Sequence, residues 1–499
     1  MAPTSATKPA KKISVQSLLT SQIALCNLPV LILVLVASLD NADKQLLASS
    51  FPLLERTLGL GVDTLGYFSL FTNLSYSLSL PFWGWLVHRY GMRRIHVVLS
   101  AACASWGAAT VGIALSGRSV AGQAAFRAVN GFALGSILPL SQTLLVGMVP
   151  ASMRGRAFGY MGMCEKLAGT LAAAGVIYFD NWQRSYYALG GVSLCFAVVA
   201  RRELTPGKRA QARARAPGSG AAKESGSDGE HDDNEGDGLT AGEPKLTVRQ
   251  ILTRIAKIPA FLCLVAQGIF GGTPWEMMSF ILLLLDWRQF TKEQIVAMQF
   301  SMGITATIGG WIGGMVGDYA ASRRATKGRI YTALASIVLG IPIYGAFLYA
   351  TDYRLALLYI NLFHLVATWS PAAALRPICA DLARNPSERA QIVSLWIVME
   401  KTAGAIFGAP LVGYLTRNMI QMKEGGEGGA GGPEDAAMKA GALAWNMFGL
   451  STFFWGMCSV FWVGMAYTID GNTTTKDLQL EMHQKKSNVI YKEDTTPLV

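Results

Sequence analysis

Two acid–base pairs stand in the most apolar parts of this chain. Glu165-Lys166 lies in "MCEKLAG" (163–169) and Glu400-Lys401 in "VMEKTAG" (398–404), 235 positions later. Asp40, Asp43, Lys44, Arg127, Glu276 and Arg376 have equally apolar surroundings. A charge at the centre of a bilayer costs about 2.5–3.5 kcal/mol even on the mild insertion scale, so it persists only where it faces a partner or a water-filled cavity. Two chemistries follow. Such groups can hold a polar or charged solute, or a carboxyl can carry a proton, protonated when dry and ionised beside an arginine. Asp43 or Glu165, with Arg127 as the fixed cation, fits the second chemistry, and His364 is a further titrating candidate. The plainer alternatives are inert salt bridges to Arg127, Arg376 or Asp43 and a packed, hydrogen-bonded histidine.

These residues need elements that cross a membrane, and the composition supplies them. Of 499 residues 51% are hydrophobic and 15% charged, against roughly 25% charged in soluble chains. Apolar segments of spanning length, about 17–25 residues, fall near 28–51, 64–87, 95–115, 120–149, 157–179, 184–200, 258–285, 295–317, 329–350, 355–380, 391–416 and 441–468. In lipid every backbone group must pair within its own segment, so twelve helices are expected. A rise of 1.5 Å per residue puts Glu165 roughly 13 Å beyond Arg156 and Glu400 roughly 16 Å beyond Arg389, near mid-membrane. Adjacent residues point about 100° apart, so the Glu and Lys of each pair cannot share one partner. Segment seven carries "QGIFGGTPWE" (267–276), three glycines and Pro274. Proline frees a carbonyl one turn earlier, and interrupted segments line binding cavities in transporters. Gln267, Trp275 and Glu276 are therefore candidate substrate contacts, with a simple filled kink as the alternative.

The net charge of +11 is concentrated in loops: Arg89, Arg93 and Arg94 after segment two, Arg154 and Arg156 after four, Arg323, Arg324, Lys327 and Arg329 after eight, Arg384 and Arg389 after ten. An even helix count puts all four loops on one side, and the positive-inside bias places both termini in the cytosol. That distribution disfavours nucleic acid as a partner. The expected organisation is a cytosolic tail (1–27), a six-helix bundle (28–200), a disordered cytosolic linker with opposed charge blocks (201–257), a second six-helix bundle (258–468) and a cytosolic tail (469–499). The seven cysteines show no paired spacing and read as small core residues. Asn472-Thr473-Thr474 and Asn73-Leu74-Ser75 match glycosylation acceptors but lie in the expected cytosol and in segment two.

The two sets of six segments repeat one another. An offset of 230 lays "GWLVHRYGMRR" (84–94) on "GMVGDYAASRR" (314–324), pairing Gly84 with Gly314, His88 with Asp318 and Arg93-Arg94 with Arg323-Arg324. An offset of 235 lays the two Glu-Lys motifs on each other. With "RAVNGFALG" (Arg127, Gly131, Gly135) and "VPASMRGRAFG", the chain resembles a major facilitator superfamily transporter across nearly everything outside tails and linker. "DNADKQLLASSFP" and "QGIFGGTPWE" resemble its Spinster-like and protist branch, with Asp43-Lys44 where that branch carries Asp-Arg.

The resemblance implies an all-α fold of twelve transmembrane helices in two pseudo-symmetric six-helix bundles. It also implies gating loops built on Gly84, His88, Arg89, Gly91, Arg93, Arg94, Gly314, Asp318, Arg323 and Arg324. His88 stands where aspartate is expected, so the halves lock unequally; Asp318 caps or pairs with a cation at about 1.5–3 kcal/mol. Substrate or coupling positions are expected at Asp43, Lys44, Arg127, Glu165, Lys166, Gln267, Trp275, Glu276, His364, Arg376, Glu400 and Lys401. Function is then alternating-access secondary transport of a small organic or amphipathic solute, with lysophospholipid- or sphingolipid-like cargo favoured and protons as a coupling option. An organic acid, amino acid or sugar carrier and a non-transporting transceptor or trafficking factor remain alternatives. No phosphate loop, nucleophile elbow or metal-ligand cluster appears, so neither an enzyme, a cofactor nor a bound metal is expected. A monomer among membrane lipids is expected, in the plasma membrane or an endomembrane.

Overall fold

A computed structural model describes residues 27–149, 154–214, 258–382, 386–424 and 433–469. Among them the chain is helical throughout, with no strand. The helices are α1 (Leu28–Leu58), α2 (Val62–Leu115), α3 (Val120–Met148), α4 (Arg154–Phe179), α5 (Trp182–Glu203), α6 (Pro206–Ala214), α7 (Pro259–Met277), α8 (Ile281–Trp287), α9 (Lys292–Tyr349), α10 (Tyr353–Ala367), α11 (Arg376–Asp381), α12 (Pro386–Phe407), α13 (Ala409–Glu424) and α14 (Pro433–Thr468). All twelve apolar segments fall on these helices. Among the described residues eight stretches are long and apolar enough to cross a membrane. α1, the first half of α2, α4 and α5 fall short because they carry the charges and the Ser, Asn and Gly residues that lower hydropathy.

Helical conformation continues through the connections between segments two and three, within α2, and between segments eight and nine, within α9. The connecting stretches "HRYGMRR" and "ASRRATKG" hold no proline, so helical turns persist through them. α9 nevertheless reverses direction there: Asp318 pairs with Arg329, eleven positions on, at 2.8 Å, where a straight helix would set them about 16 Å apart. Where helices end, polar caps meet the orphan amides. Ser119 accepts from the Gly122 amide at 3.1 Å, Thr291 and Gln294 form a reciprocal capping box, and Asp352 accepts from the amides of Arg354 and Leu355. The expected linker begins as helix: Pro206 opens α6, and Lys208 pairs with Glu203 at 2.7 Å. Residues 215–257 lie outside the described residues.

The chain packs as two compact units. The first comprises Met1–Leu46, Ser79–Ala172 and Gln183–Asp233, the second Leu47–Leu78, Ala173–Trp182 and Asn234–Val499. The first buries Trp106, Tyr186 and Arg127, and Ser100 and Ser193 of α2 and α5 bond across to carbonyls of Ala197 and Cys103. In the second, α9 packs on α10, and α7 lies between α12 and α14. Its core holds Phe261, Leu264, Ile330, Ile378, Ile392, Cys458 and Trp462. The same unit contains the far end of α1 and the start of α2. There Phe51 lies 5.2 Å from Phe280, Arg56 pairs with Asp286, Trp287 Nε1 donates to Glu55 at 2.8 Å, and Arg417 pairs with Asp63.

Candidate functional site

The charged residues of the first unit assemble around α1. Asp43 is 5% exposed. Its Oδ1 accepts from Trp106 Nε1 at 3.0 Å and from Asn130 Nδ2 at 3.2 Å, and the Asn130 amide also donates to Thr110 Oγ1 at 3.0 Å. Three helices thus converge on one carboxylate. Arg127, one turn before Asn130 on α3 and 2% exposed, donates to the Tyr186 hydroxyl at 3.1 Å and lies 5.4 Å from that ring's centroid. Lys44 forms an ion pair with Asp40 at 2.6 Å, one helical turn earlier. Glu165 is half-buried on α4; its backbone carbonyl accepts from Asn41 Nδ2 at 2.7 Å, and among the described residues its carboxylate enters no ion pair. Lys166 is exposed. Asp43 therefore meets an indole and an amide, residues whose type gave no hint of the role in the sequence.

The second unit contains a cavity of about 310 Å³. Gln267, Trp275, Trp396, Glu400, Lys401, Phe363, Trp455 and Trp462 contribute to its wall. Glycine on α7 opens it: a Cβ at Gly272 would strike Glu400, and one at Gly268 would strike the Trp396 indole. Lys401 Nζ lies 3.0 Å from Glu276 Oε1, while Asn73 Nδ2 donates to Glu276 Oε2 at 3.0 Å. Glu276 does not line this cavity; it stands behind Lys401. Glu400 takes no hydrogen bond or ion pair among the described residues and faces the cavity. Both members of this Glu-Lys pair line the cavity, and Lys401 in addition pairs with Glu276. Gln267 is 3% exposed and donates to the Leu264 carbonyl at 2.9 Å.

Segment seven is irregular one turn later than its sequence implies. α7 runs through Pro274 to Met277, and a 3₁₀ turn follows at Met278–Phe280, stabilised by Ser279 Oγ donating to the Glu276 carbonyl at 2.8 Å. The proline removes one donor, and the next turn tightens to compensate. A second break went unremarked in the sequence. α10 ends at Ala367, and a π turn spans Pro371–Leu375; Thr368, Ser370, Pro371 and Leu375 line the cavity. Ser370-Pro371 was the available signal. α9 packs against this break through Gly309, Gly313 and Gly317, where a Cβ would meet Leu365, Trp369 or Ala373 at 2.5–2.7 Å.

His364 is 8% exposed, its Nδ1 lies 2.9 Å from the Ile360 carbonyl, and its ring packs edge-on against Phe363 and Trp275; it does not line the cavity. In the expected gating loops, Gly84, Arg89 and Arg94 are exposed on α2, and Gly314 is half-buried on α9. Asp318 pairs with Arg329 at 2.8 Å, and Arg329 also donates to the Ala373 carbonyl at 3.0 Å. With Asp318 73% exposed, that pair is worth about 0–1 kcal/mol, below the 1.5–3 kcal/mol expected from sequence, because water screens it. Arg323 stacks over Tyr319 at 5.0 Å and Arg324 over Tyr331 at 5.8 Å. His88, Gly91, Arg93 and Arg376 are helical, and their side chains lie outside the described residues.

Comparison with known proteins shows the family and the fold. Residues 33–409 match the family described as Major Facilitator Superfamily. A probable sulfoacetate transporter, SauU, of Cupriavidus necator is 27% identical over 161 residues, covering 32% of this chain and 36% of that relative. The match thus spans about a third of the relative's length. A bacterial homologue of the human lysosomal transporter Spinster, solved inward-facing and unoccupied, superposes with a TM-score of 0.69 at 15% identity, covering 88% of this chain and 96% of the other. The nucleoside transporter NupG superposes at 0.58 with 15% identity over 86% and 99% of the two chains, and a D-xylose–proton symporter at 0.58 with 12% identity over 87% and 97%. At these identities the likeness is one of fold.

Proposed function

The chain belongs to the Major Facilitator Superfamily, a multi-pass integral membrane protein with that family's all-α twelve-helix fold, and from that premise we propose that it is a secondary active carrier working by alternating access. Its two repeats, 28–200 and 258–468, are the moving halves, with both termini cytosolic. The observation that carries the reading is the cavity of about 310 Å³ in which Glu400 and Lys401 sit among Trp275, Trp396, Trp455 and Trp462. Ligand pockets run to about 300–1,000 Å³ with apolar walls and few polar groups. Aromatic walls with one carboxylate and one ammonium suit an amphipathic or zwitterionic molecule, and lysophospholipid- or sphingolipid-like cargo has both characters.

Asp43, encircled by Trp106 and Asn130 with Arg127 one turn from Asn130 on the same helix, is the proposed proton carrier. A D-xylose–proton symporter shares the fold, which is compatible with proton drive. A small organic acid is the second reading, favoured by the sulfoacetate relative and by the ammonium of Lys401 in the cavity wall. The test is uptake into proteoliposomes of labelled lysophospholipids, sphingoid bases, organic acids, amino acids and sugars, with and without a pH gradient. Saturable lysolipid uptake is expected. Saturable uptake of an organic acid alone would move the assignment to the second reading, and binding without flux of any compound would overturn the carrier function.

A further inference from the structure

Glu276 occupies an unusual position between the cavity and α2. One oxygen holds Lys401, which lines the cavity, and the other receives the amide of Asn73 on α2, each at 3.0 Å. Its side chain is clamped from a third side by α12: a Cβ at Gly404 would lie 2.8 Å from Glu276 Cγ, and the backbone beyond it passes straight into the 3₁₀ turn at Met278–Phe280. The carboxylate cannot slide along its own helix without disturbing one of these contacts. It is half-buried rather than sealed, with its side chain 21% exposed, so water can reach it when a partner leaves. Asn73 is itself half-buried and one turn before Ser77, whose hydroxyl returns to the Asn73 carbonyl at 2.8 Å.

We propose that Glu276 is a relay through which occupancy of the cavity is passed to α2, a role that rests on the carrier reading of the cavity. A carboxylate, sulfonate or phosphate entering the cavity competes with Glu276 for the Lys401 ammonium. Once Lys401 turns to the cargo, the Glu276 carboxylate has lost its counter-charge and reorients toward water, and its bond to Asn73 loosens. The empty cavity then holds α2 against α7, and the filled one lets it go. Lys401 is the sensing group, Glu276 the positioning residue and Asn73 the output. Only cargo with an anionic group operates the relay; a neutral sugar leaves Glu276 on Lys401.

Amide hydrogen exchange along residues 66–78 of α2, in the empty full-length protein, reads this connection without any cargo. Lys401→Met and Asn73→Val are each expected to speed that exchange by about tenfold, the equivalent of one charge-assisted bond. The double variant should be no faster than either single one, and Lys401→Arg should return the wild-type rate. A wild-type rate in Lys401→Met, or effects that multiply in the double variant, would overturn the relay. If Lys401→Met fails to fold, Glu276→Met, which removes the acceptor of both Lys401 and Asn73, should speed the exchange to the same extent. The two readings fail separately. Multiplying effects with normal uptake overturn the relay alone, whereas a non-additive cycle without uptake of any cargo supports the relay and overturns the carrier reading.

Discussion

Replacing Asp43 by asparagine isolates proton drive from folding. In the native protein one oxygen serves both Trp106 and Asn130. The asparagine carbonyl can occupy the same place and accept from both, so what is lost is charge assistance. A charge-assisted bond is worth about 1.5–3 kcal/mol and a neutral one about 0.5–1.5, a cost of roughly 1 kcal/mol per bond that relief from burying a charge offsets. Asp43→Leu is a different perturbation. It strands the Trp106 and Asn130 donors, at about 1–3 kcal/mol each, and is expected to reduce folded protein. The functional magnitude comes from the gradient: one proton moving down one pH unit supplies about 1.36 kcal/mol, enough for about tenfold accumulation of cargo. Proteoliposomes loaded at one pH unit above the bath, with cargo measured at steady state, should show about tenfold accumulation for wild type. Asp43→Asn should fall to the level of equilibration while still exchanging labelled for unlabelled cargo. Undiminished gradient-driven accumulation in Asp43→Asn refutes the assignment of Asp43 as the proton carrier.

The packing and the ion pairs give further expectations. Gly313→Val puts a Cβ 2.5 Å from Trp369 Cα, an overpacking cost of about 1–3 kcal/mol, and should lower the unfolding midpoint in a fluorescence thermal melt; Gly314→Ala, whose nearest neighbour is 3.9 Å away, should leave it unchanged. Arg417→Met removes the partner of Asp63, whose side chain is only 10% exposed, so a buried carboxylate is left uncompensated and the loss should exceed the ~1 kcal/mol of a surface pair, seen as a clear fall in the same melt. Asp318→Asn, at a pair worth about 0–1 kcal/mol, should change maximal transport rate by less than about fivefold; complete loss would mean that the exposure of Asp318 misstates its role.

Much of the architecture was legible because hydropathy and the cost of unpaired backbone in lipid leave few alternatives. The positions of Glu165, Glu276 and Glu400 stood out for the same reason: a carboxylate in an apolar segment contradicts its surroundings. Their partners did not. Trp106, Asn130, Tyr186 and Asn73 are ordinary residues for membrane helices, and only the packing of α2, α3, α5 and α7 gives them roles. The sequence marks Glu276 as a cargo contact; in the structure it does not line the cavity, and Lys401, which does, pairs with it. The break in α10 was missed because Pro371 sits in a segment whose hydropathy is otherwise uninterrupted. Helical conformation continues through the basic connections because arginine and alanine are good helix formers, and the turn that the basic stretch between segments eight and nine implies is present in α9, where Asp318 meets Arg329.

The account depends above all on cargo reaching the charges of the cavity in the second unit. Saturation uptake by Glu400→Gln protein that still reaches the membrane tests this most directly. Glu400 has no partner among the described residues other than the cavity it faces, so losing its charge should remove a charge-assisted bond of about 1.5–3 kcal/mol and raise KM by about 10–150-fold with the protein's thermal stability preserved. Wild-type uptake by Glu400→Gln would contradict it.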